Sequence, residues 1–353
     1  MASYGNRTTD NAPTADSGRN LIAKAVSDIE KTTEWRVTDR AKFAGSEGIY
    51  YDSKKVGSYF IAVTNSAKAK GVLKLQLRPI AFGEGSIIRH IAPQLRTQKI
   101  RLPKIYLDTS WNEKDGYGFL IFEDLSHLPK IWSSLPPVAE RDYRWHKEFI
   151  KEFLHNVLPV TPFVEKPTQT PLELARESFE HYWNIAKNSA HKHIDQSEIQ
   201  SFKEQYFRVL EKVKFEDLHF THGHLTGLDI LWDQDKQQFV LLGNLYWKWR
   251  SRYWELTFSV WNSIMHVRDK SFSFNDFMGM VNRWNHLWSS ELYDHDPTTN
   301  QQYWINLLGM AMNTIMLDLG SSEWKEGEQE ERQALLETWK RFFNWLIENK
   351  FQK

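Results

Sequence analysis

The chain of 353 residues contains no cysteine. Disulfide bonds and thiolate metal sites are therefore excluded, and the absence fits a reducing compartment. The sequence also lacks any run of about eighteen consecutive apolar residues, the length that a membrane-spanning helix needs. Its formal net charge is zero, which removes a general attraction to nucleic acid or to an anionic membrane. We therefore expect a cytoplasmic protein that binds neither nucleic acid nor membrane.

The first 20 residues, MASYGNRTTDNAPTADSGRN, are polar and have no apolar core. Such a segment is typical of a disordered tail and lacks the apolar stretch of a secretory signal. Tryptophan, in contrast, is abundant, with 16 residues. We expect most of these rings to pack in the core, and the alternative is an aromatic-lined pocket or a partner surface.

Residues 21–127 have the pattern of a small β-rich lobe. Apolar and β-branched runs alternate with clusters of Gly, Asn, Ser and Lys, which predicts a five-stranded sheet. The runs are KFAGSEGIYYD, GSYFIAVTN, GVLKLQL, RLPKIYLDTSW and YGFLIFEDL. One main helix is predicted at GEGSIIRHIAPQLRTQ, between the third and fourth runs, and a short helix is predicted at residues 21–34.

Residues 128–353 have few strand signals, and helical spacing dominates. For example, Trp145, Phe149 and Phe153 fall on one stripe of a helix. Two prolines at 136–137 mark the junction with the preceding lobe. The stretch QQFVLLGNL predicts one short strand within the helical part. Helices are predicted at 139–158, 171–190, 197–214, 253–268, 274–293, 301–319 and 329–350.

Segment 219–245 contains the stretch HFTHGHLTGLDILWD. Within it, residues 222–231 resemble the catalytic loop of the aminoglycoside phosphotransferase and choline kinase group, whose pattern is H-G-D-L-x-x-x-N-I-L. The resemblance extends over residues 35–320. It implies an α+β, bilobal protein-kinase-like fold, with a small β-rich N-lobe that contains one main helix. The larger, helical C-lobe would carry the catalytic-loop-like segment.

The resemblance also implies roles for the residues of this loop. In that family the aspartate of H-G-D orients and deprotonates the acceptor hydroxyl, and the asparagine holds Mg²⁺. His224 stands at the aspartate position and Asp229 at the asparagine position, so these two are the catalytic candidates. The family's second metal-binding aspartate falls on Gly243, which leaves Asp229 and the neighbouring Asn244 as metal candidates. Glu255 matches a later acidic position that is usually structural.

The resemblance also implies a set of nucleotide-binding residues in the N-lobe. Lys74 in GVLKLQL stands where a strand lysine contacts the phosphates, and Glu84 in the next helix would hold that lysine as an ion pair. The stretch LIFEDL resembles the hinge that receives the adenine, and FAGSEGIYY resembles the loop over the phosphates, where glycine permits close backbone approach. The implied nucleotide-binding residues are Lys74, Glu84, Glu123, Asp124, Leu125, Gly45 and Gly48.

The departures from the family pattern reduce the negative charge available to a metal ion. Mg²⁺ prefers hard oxygen ligands, typically one or two carboxylates with phosphates and water, so Asp229 alone predicts weak binding. We therefore predict a pseudokinase that binds ATP, GTP or a partner without efficient phosphotransfer. The first alternative is an active ATP-dependent phosphotransferase on a small hydroxylated acceptor, with His224 as the base. The second is a non-enzymatic scaffold that binds a protein partner through its tryptophan-rich lobe.

The histidines of the motif also leave a zinc site open as an alternative. His219, His222 and His224, with Asp229 nearby, are residue types that bind zinc. An alternating strand, however, places His219 on the opposite side from the other two. In the family that the motif resembles, the histidine at the position of His222 normally hydrogen-bonds the backbone and braces the loop.

An aromatic and basic cluster follows the motif directly. Packing in the core and between the lobes is one interpretation, and an arginine-lined pocket for an anionic ligand is the other. The members of the cluster are Trp247, Trp249, Arg250, Arg252 and Trp254.

Overall fold

The computed structural model describes most of both lobes. Gly45, Gly48 and the first predicted strand run, KFAGSEGIYYD, lie outside the described residues, as do the prolines at 136–137 and residues 1–14. The described residues are 15–38, 58–77, 79, 83–132, 140–158, 160–265, 267–288 and 292–352.

Within these residues the chain forms ten strands and nine α-helices. The strands are β1 Arg36–Val37, β2 Ser58–Thr64, β3 Lys70–Gln76, β4 Ile100–Arg101, β5 Ile105–Asn112, β6 Tyr117–Glu123, β7 Leu218–Thr221, β8 Ile230–Asp233, β9 Gln238–Leu241 and β10 Lys248–Ser251. The helices are α1 Ala15–Thr32, α2 Glu84–Ile91, α3 Glu140–Glu152, α4 Pro171–Lys187, α5 Gln196–Leu210, α6 Trp254–Met265, α7 Phe274–Leu287, α8 Gln301–Asn313 and α9 Gln329–Leu346.

The N-lobe is built on an antiparallel five-stranded sheet with the order β1-β2-β3-β6-β5. The alternation of strand β3 determines the roles of its two faces. Leu73 and Leu75 are buried in the core under α1, whereas Lys74 and Gln76 line a cavity beside α2 on the other face. The sheet therefore holds Lys74 on the side of the helix that contains Glu84, as the resemblance implied.

Helix α1 begins at Ala15, so residues 15–20 are helical and the prediction of a disordered tail was wrong for them. The apolar stripe of this helix, which includes Ile22, Val26 and Ile29, packs on the outer face of the sheet. Once that stripe fixes the helix, each further residue adds one backbone hydrogen bond at little extra entropic cost. The helix can therefore extend toward its N-terminus beyond that stripe.

The C-lobe is mainly helical, as predicted, and has one large hydrophobic core. Local signals explain where several helices begin: Thr170 and Ser273 form capping boxes with residues three positions later, at the starts of α4 and α7. Three of the long helices end in π-helical turns, at 153–157, 314–318 and 347–351. Among the described helices, none is long and apolar enough to cross a membrane.

The helix α2 and the segment after it pack against the C-lobe, although they lie between N-lobe strands in the sequence. Ile87, Ile88 and Ile91 belong to the large C-lobe core. Strand β4 pairs in parallel with β9, which itself forms a hairpin with β8. The position of α2, and with it of Glu84, is therefore set by both lobes.

Candidate nucleotide and catalytic-loop site

The loop of residues 222–229, within the catalytic-loop-like segment 219–245, lies between β7 and β8, and His222 braces it from within. The His222 side chain is fully buried, its Nε2 contacts the Leu242 carbonyl oxygen at 3.0 Å, and its Nδ1 accepts a hydrogen bond from the His224 backbone at 3.3 Å. Burial lowers the pKa of His222 to about 3, so the ring is neutral near pH 7. Both ring nitrogens bind the backbone, as the resemblance to the family implied.

His224 and Asp229 form a hydrogen-bonded pair at the surface of the loop. His224 Nδ1 lies 2.8 Å from Asp229 Oδ2, and the two side chains are 29% and 32% exposed. The imidazole stacks on Tyr246 with ring centroids 4.2 Å apart and contacts Phe258 at 4.8 Å. A carboxylate on Nδ1 fixes the ring orientation and leaves Nε2 as the nitrogen that can accept a proton.

Gly243 lies next to this pair but contributes no ligand. Its backbone is left-handed (φ 69°, ψ 35°), and a β-carbon at this position would lie 3.8 Å from Asp229 Oδ2. Asn244, the predicted substitute ligand, is fully buried. Its Nδ2 donates to the Leu241 carbonyl oxygen at 3.0 Å, and its Oδ1 accepts from Trp247 Nε1 at 3.2 Å. The side chain of Asn244 is thus committed to the core, which corrects its assignment as a metal candidate.

A chain of contacts connects the N-lobe lysine to the same segment. Lys74 Nζ lies 2.5 Å from Glu84 Oε2, and both side chains are nearly buried, with 12% and 10% exposed. The other oxygen, Glu84 Oε1, accepts a hydrogen bond from the Asn244 backbone N–H at 2.9 Å. Glu84 therefore positions Lys74 and at the same time fixes the backbone that follows Gly243.

The predicted hinge is held by ion pairs to Arg101, a residue that was not among the predicted site residues. Glu123 pairs with Arg101, which also contacts Asp233 at 3.2 Å. Asp124 accepts a hydrogen bond from the Ser126 backbone at 2.9 Å, and Leu125 packs in a small apolar cluster with β8 and β9. The guanidinium of Arg101 thus joins Glu123 of the N-lobe to Asp233 of the C-lobe, and nothing in the local sequence pattern singles out Arg101.

Solved structures share the fold of this protein over nearly the whole chain. An ethanolamine kinase from Plasmodium vivax matches with a TM-score of 0.51 and 12% identity, covering 97% of this chain and 96% of the other. The chain has the fold of the choline kinases and aminoglycoside phosphotransferases.

Two further structures support this assignment of the kinase-like fold. A choline/ethanolamine kinase family protein from Mesorhizobium loti gives a TM-score of 0.52 at 10% identity, covering 94% and 96% of the two chains. A spectinomycin phosphotransferase in complex with ADP and spectinomycin gives 0.50 at 9%, covering 91% and 94%. No protein-family model and no curated protein sequence matches the chain. The comparisons therefore confirm the predicted fold, and at these identities they show the fold alone.

Within the described part of this kinase-like fold, no group of three or more His, Asp or Glu side chains is placed to hold a metal ion. The zinc alternative is therefore wrong. His219 is exposed on β7, and the next residues with buried side chains, Phe220 and Thr221, continue the strand toward the buried His222. Strand alternation separates His219 from the other two histidines. Both ring nitrogens of His222 are bound to the backbone, so the three side chains do not converge on one point.

The aromatic and basic cluster serves packing. Arg250 is buried with its guanidinium 4.5 Å from the centre of the Trp254 ring, and a β-carbon on Gly223 would overlap the Arg250 side chain. Gly223 has a φ of +70°, so glycine satisfies both the backbone and the space. Arg252 pairs with Glu216 at 3.0 Å. Neither arginine belongs to the lining of the cavity beside Lys74.

Glu255 is likewise structural, as the resemblance implied. It lies on the first turn of α6, is buried, and accepts a hydrogen bond from the Thr221 hydroxyl. Burial raises the pKa of Glu255. The residue joins β7 to α6 directly beneath the catalytic-loop-like segment.

Proposed function

We propose that the protein is a nucleotide-binding pseudokinase, in which Lys74 contacts the phosphates of ATP or GTP and phosphotransfer is inefficient. One observation carries the proposal: Asp229 bonds His224 at 2.8 Å, while Gly243 provides no carboxylate. Asn244 is committed to the core. Phosphoryl transfer relies on metal ions that neutralise charge between the phosphates. These residues do not fit the two-sided carboxylate clamp that Mg²⁺ takes in such sites.

The nucleotide side of the site supports binding. The Lys74–Glu84 pair is in place, and it is nearly buried, so its charges are weakly screened. The spectinomycin phosphotransferase with the same fold is in complex with ADP. A lysine ammonium held by a carboxylate provides a fixed positive charge for phosphate oxygens without any metal ion.

Calorimetric titration with ADP, ATP and GTP, each with and without Mg²⁺, tests the proposal. We expect binding whose affinity changes less than about tenfold with Mg²⁺, and no turnover. Lys74→Met should weaken binding by at least about tenfold, because a charge-assisted contact is lost. Lys70→Met is the matched control, since Lys70 is an exposed lysine on the same strand. Robust Mg²⁺-dependent transfer of phosphate would contradict the pseudokinase.

The His224–Asp229 pair favours a second candidate function, an active phosphotransferase on a small hydroxylated acceptor. With Asp229 on Nδ1, the other ring nitrogen of His224 can accept the acceptor's hydroxyl proton. This function requires that the parent protein phosphorylates some sugar, aminoglycoside or amino alcohol in an acceptor screen. The same phosphorylation must be lost in His224→Ala. A gain of transfer in the triple variant His224→Asp, Asp229→Asn, Gly243→Asp, starting from an inactive parent, would instead support the pseudokinase.

The scaffold alternative has less support from the described surface. Among the described residues, Ile185 is the one large apolar side chain that is exposed, at 43%. The tryptophans that suggested a partner surface include Trp132, Trp284, Trp288 and Trp339, which are fully buried. A pull-down that recovers a partner from a protein with no nucleotide response would revive this alternative.

A further inference from the structure

The side chain of His224 combines a fixed ring with one available nitrogen. Its Nδ1 lies 2.8 Å from Asp229 Oδ2, and the ring stacks on Tyr246 with the centroids 4.2 Å apart and the planes 16° apart. Phe258 packs near the same ring, with the centroids 4.8 Å apart. Among the described residues no group hydrogen-bonds Nε2, and 29% of the side chain is exposed. The surroundings therefore orient the ring and leave Nε2 available.

The hydrogen bond to Asp229 determines which nitrogen of His224 is the nucleophile. A carboxylate can only accept, so Nδ1 carries the proton of the neutral ring and Nε2 keeps its lone pair. The carboxylate also stabilises the positive charge that develops on the ring when Nε2 forms a new bond. His222, in the same loop, is fully buried with both nitrogens bound to the backbone. His224 is thus the histidine of this loop that is built to react.

A short turn at Asn244–Tyr246 connects this ring to the proposed nucleotide site. The Asn244 backbone N–H donates to Glu84 Oε1 at 2.9 Å, and Glu84 holds Lys74 through its other oxygen at 2.5 Å. Tyr246, two residues further on, stacks on His224. The turn therefore contacts both the carboxylate that positions the lysine and the ring that carries the open nitrogen.

We propose that His224 is a phosphorylation site, at which Nε2 accepts the terminal phosphoryl group of a nucleoside triphosphate; the donor rests on the proposed function. The lone pair of Nε2 forms a nitrogen–phosphorus bond. The bond from that phosphorus to the bridging oxygen breaks, and its electron pair leaves with the nucleoside diphosphate. The proton on Nδ1 stays in the hydrogen bond to Asp229, whose charge balances the phosphorylated ring.

This role differs from that of a base for a separate acceptor. A base passes its proton on and returns to its starting state, whereas a nucleophile keeps the phosphoryl group until a further reaction removes it. The transfer therefore stops at a single phosphate per chain. It is slow, because few carboxylates are placed to hold a metal ion against the phosphates. Such a single event is compatible with a pseudokinase.

The test uses the full chain and two phosphoryl donors. One is ATP labelled with phosphorus-32 in its terminal phosphate, with and without Mg²⁺, and the other is phosphoramidate, which needs no nucleotide site. Peptide mass spectrometry under alkaline conditions locates the label, because acid hydrolyses the nitrogen–phosphorus bond. We expect ATP to label His224 alone. With phosphoramidate, His224 should react at least about tenfold faster than the exposed His155.

Variants separate the proposed site from adventitious labelling. His224→Gln should lose the label from ATP, and the matched control His155→Gln should retain it. Asp229→Asn keeps an oxygen for Nδ1 but loses the charge, so it should slow labelling at least about tenfold. Circular dichroism confirms that each variant is folded. A folded His224→Gln that keeps the label, or an unchanged rate in Asp229→Asn, would overturn the proposal.

Calorimetry with ADP distinguishes failure of this proposal from failure of the proposed function. If ADP binds and ATP leaves no label on His224, the phosphorylation site is overturned and the pseudokinase stands. If ADP does not bind, the pseudokinase is contradicted and ATP is overturned as the donor. The phosphoramidate reaction then decides whether Nε2 is a nucleophile, and a rate at His224 no greater than that at His155 would overturn this as well.

Discussion

At the scale of single residues, the polar side chains of the cleft between the lobes are already paired with one another. Lys74 is held by Glu84, and Asp229 is held by His224. The affinity of a site for a metal ion grows with the number of oxygen ligands that are free to bind it. One oxygen of Asp229 is already hydrogen-bonded to His224, which supports the proposal that nucleotide binding depends little on Mg²⁺.

Glu84→Gln should weaken nucleotide binding about three- to tenfold and lower the free energy of unfolding by about 1–3 kcal/mol. The amide keeps one oxygen for the Asn244 backbone but no longer attracts Lys74. Calorimetry and chemical denaturation measure the two effects. Glu113→Gln is the control, because Glu113 is exposed between β5 and β6. Equal behaviour of the two variants would show that Glu84 does not position Lys74.

Gly243→Asp should create metal affinity that the parent lacks. The new carboxylate would start from a β-carbon 3.8 Å from Asp229 Oδ2, so two carboxylates would face one point. The left-handed backbone makes the variant less stable by about 1 kcal/mol or more without metal. We expect Mn²⁺ or Mg²⁺ to raise its melting temperature while leaving the parent and Gly243→Asn unchanged. A similar metal response in Gly243→Asn would rule out the carboxylate as the cause.

At the scale of elements, two buried histidines connect the catalytic-loop-like segment to its surroundings. His222 joins the loop to the residue after β9. His146, on α3, is fully buried and contacts the Ser259 hydroxyl on α6 at 2.8 Å. Burial lowers the pKa of each to about 3. Both rings are therefore neutral in the folded state and must be protonated against a desolvation penalty.

Acidification should destabilise the fold below the ordinary histidine pKa. Because the folded pKa is lowered from 6.5 to about 3, the unfolded chain binds more protons between these values. Each neutral histidine contributes fully to the free energy of unfolding above pH 6.5. Between pH 6.5 and about 3, the free energy of unfolding falls by up to about 1.4 kcal/mol per histidine for each unit of pH. Urea denaturation between pH 5 and 7 measures the slope.

His222→Gln should reduce that slope by about one histidine's share, since the titrating group is gone. The exposed Gln234 provides the control, and Gln234→Asn, which changes no titrating group, should retain the parent slope. The interpretation fails if His222→Gln and Gln234→Asn give the same pH dependence.

At the scale of the whole molecule, the lobes are connected at several points besides the linker. The backbone of Asn244 bonds Glu84, β4 pairs with β9, and Arg101 bridges Glu123 and Asp233. Each contact joins a part of the chain before residue 124 to one after residue 228. We therefore expect the lobes to unfold together.

Arg101→Met should lower the free energy of unfolding by about 2–4 kcal/mol, because two nearly buried carboxylates lose their common partner. Adding Glu123→Gln and Asp233→Asn should recover a large part of that loss. Denaturation followed by tryptophan fluorescence and by circular dichroism measures both. Coincident transitions are expected, and two separate transitions in the parent protein would contradict the joint unfolding of the lobes.

The strand and helix positions could largely be predicted from local patterns. Runs such as GSYFIAVTN and YGFLIFEDL became β2 and β6, since apolar alternation and turn residues act over a few neighbours. Short pieces such as β4 and β10 were missed, because their pairing partners lie far away in the sequence. Asn244 was placed wrongly as a ligand, because sequence position does not show that both polar atoms of its side chain bind within the core.

The sequence by itself determined the absence of thiol chemistry and the residue types at the motif, with His224, Asp229 and Gly243 where the family that it resembles has its catalytic aspartate and two metal ligands. Composition and spacing show these directly, and the resemblance of the motif implied the two-lobed α+β plan. Only the tertiary structure decided that Glu84 reaches both Lys74 and the Asn244 backbone, and that His224 occupies Asp229. Hydrogen bonds between distant segments depend on how lobes pack, and packing is set by the whole core and not by neighbouring residues.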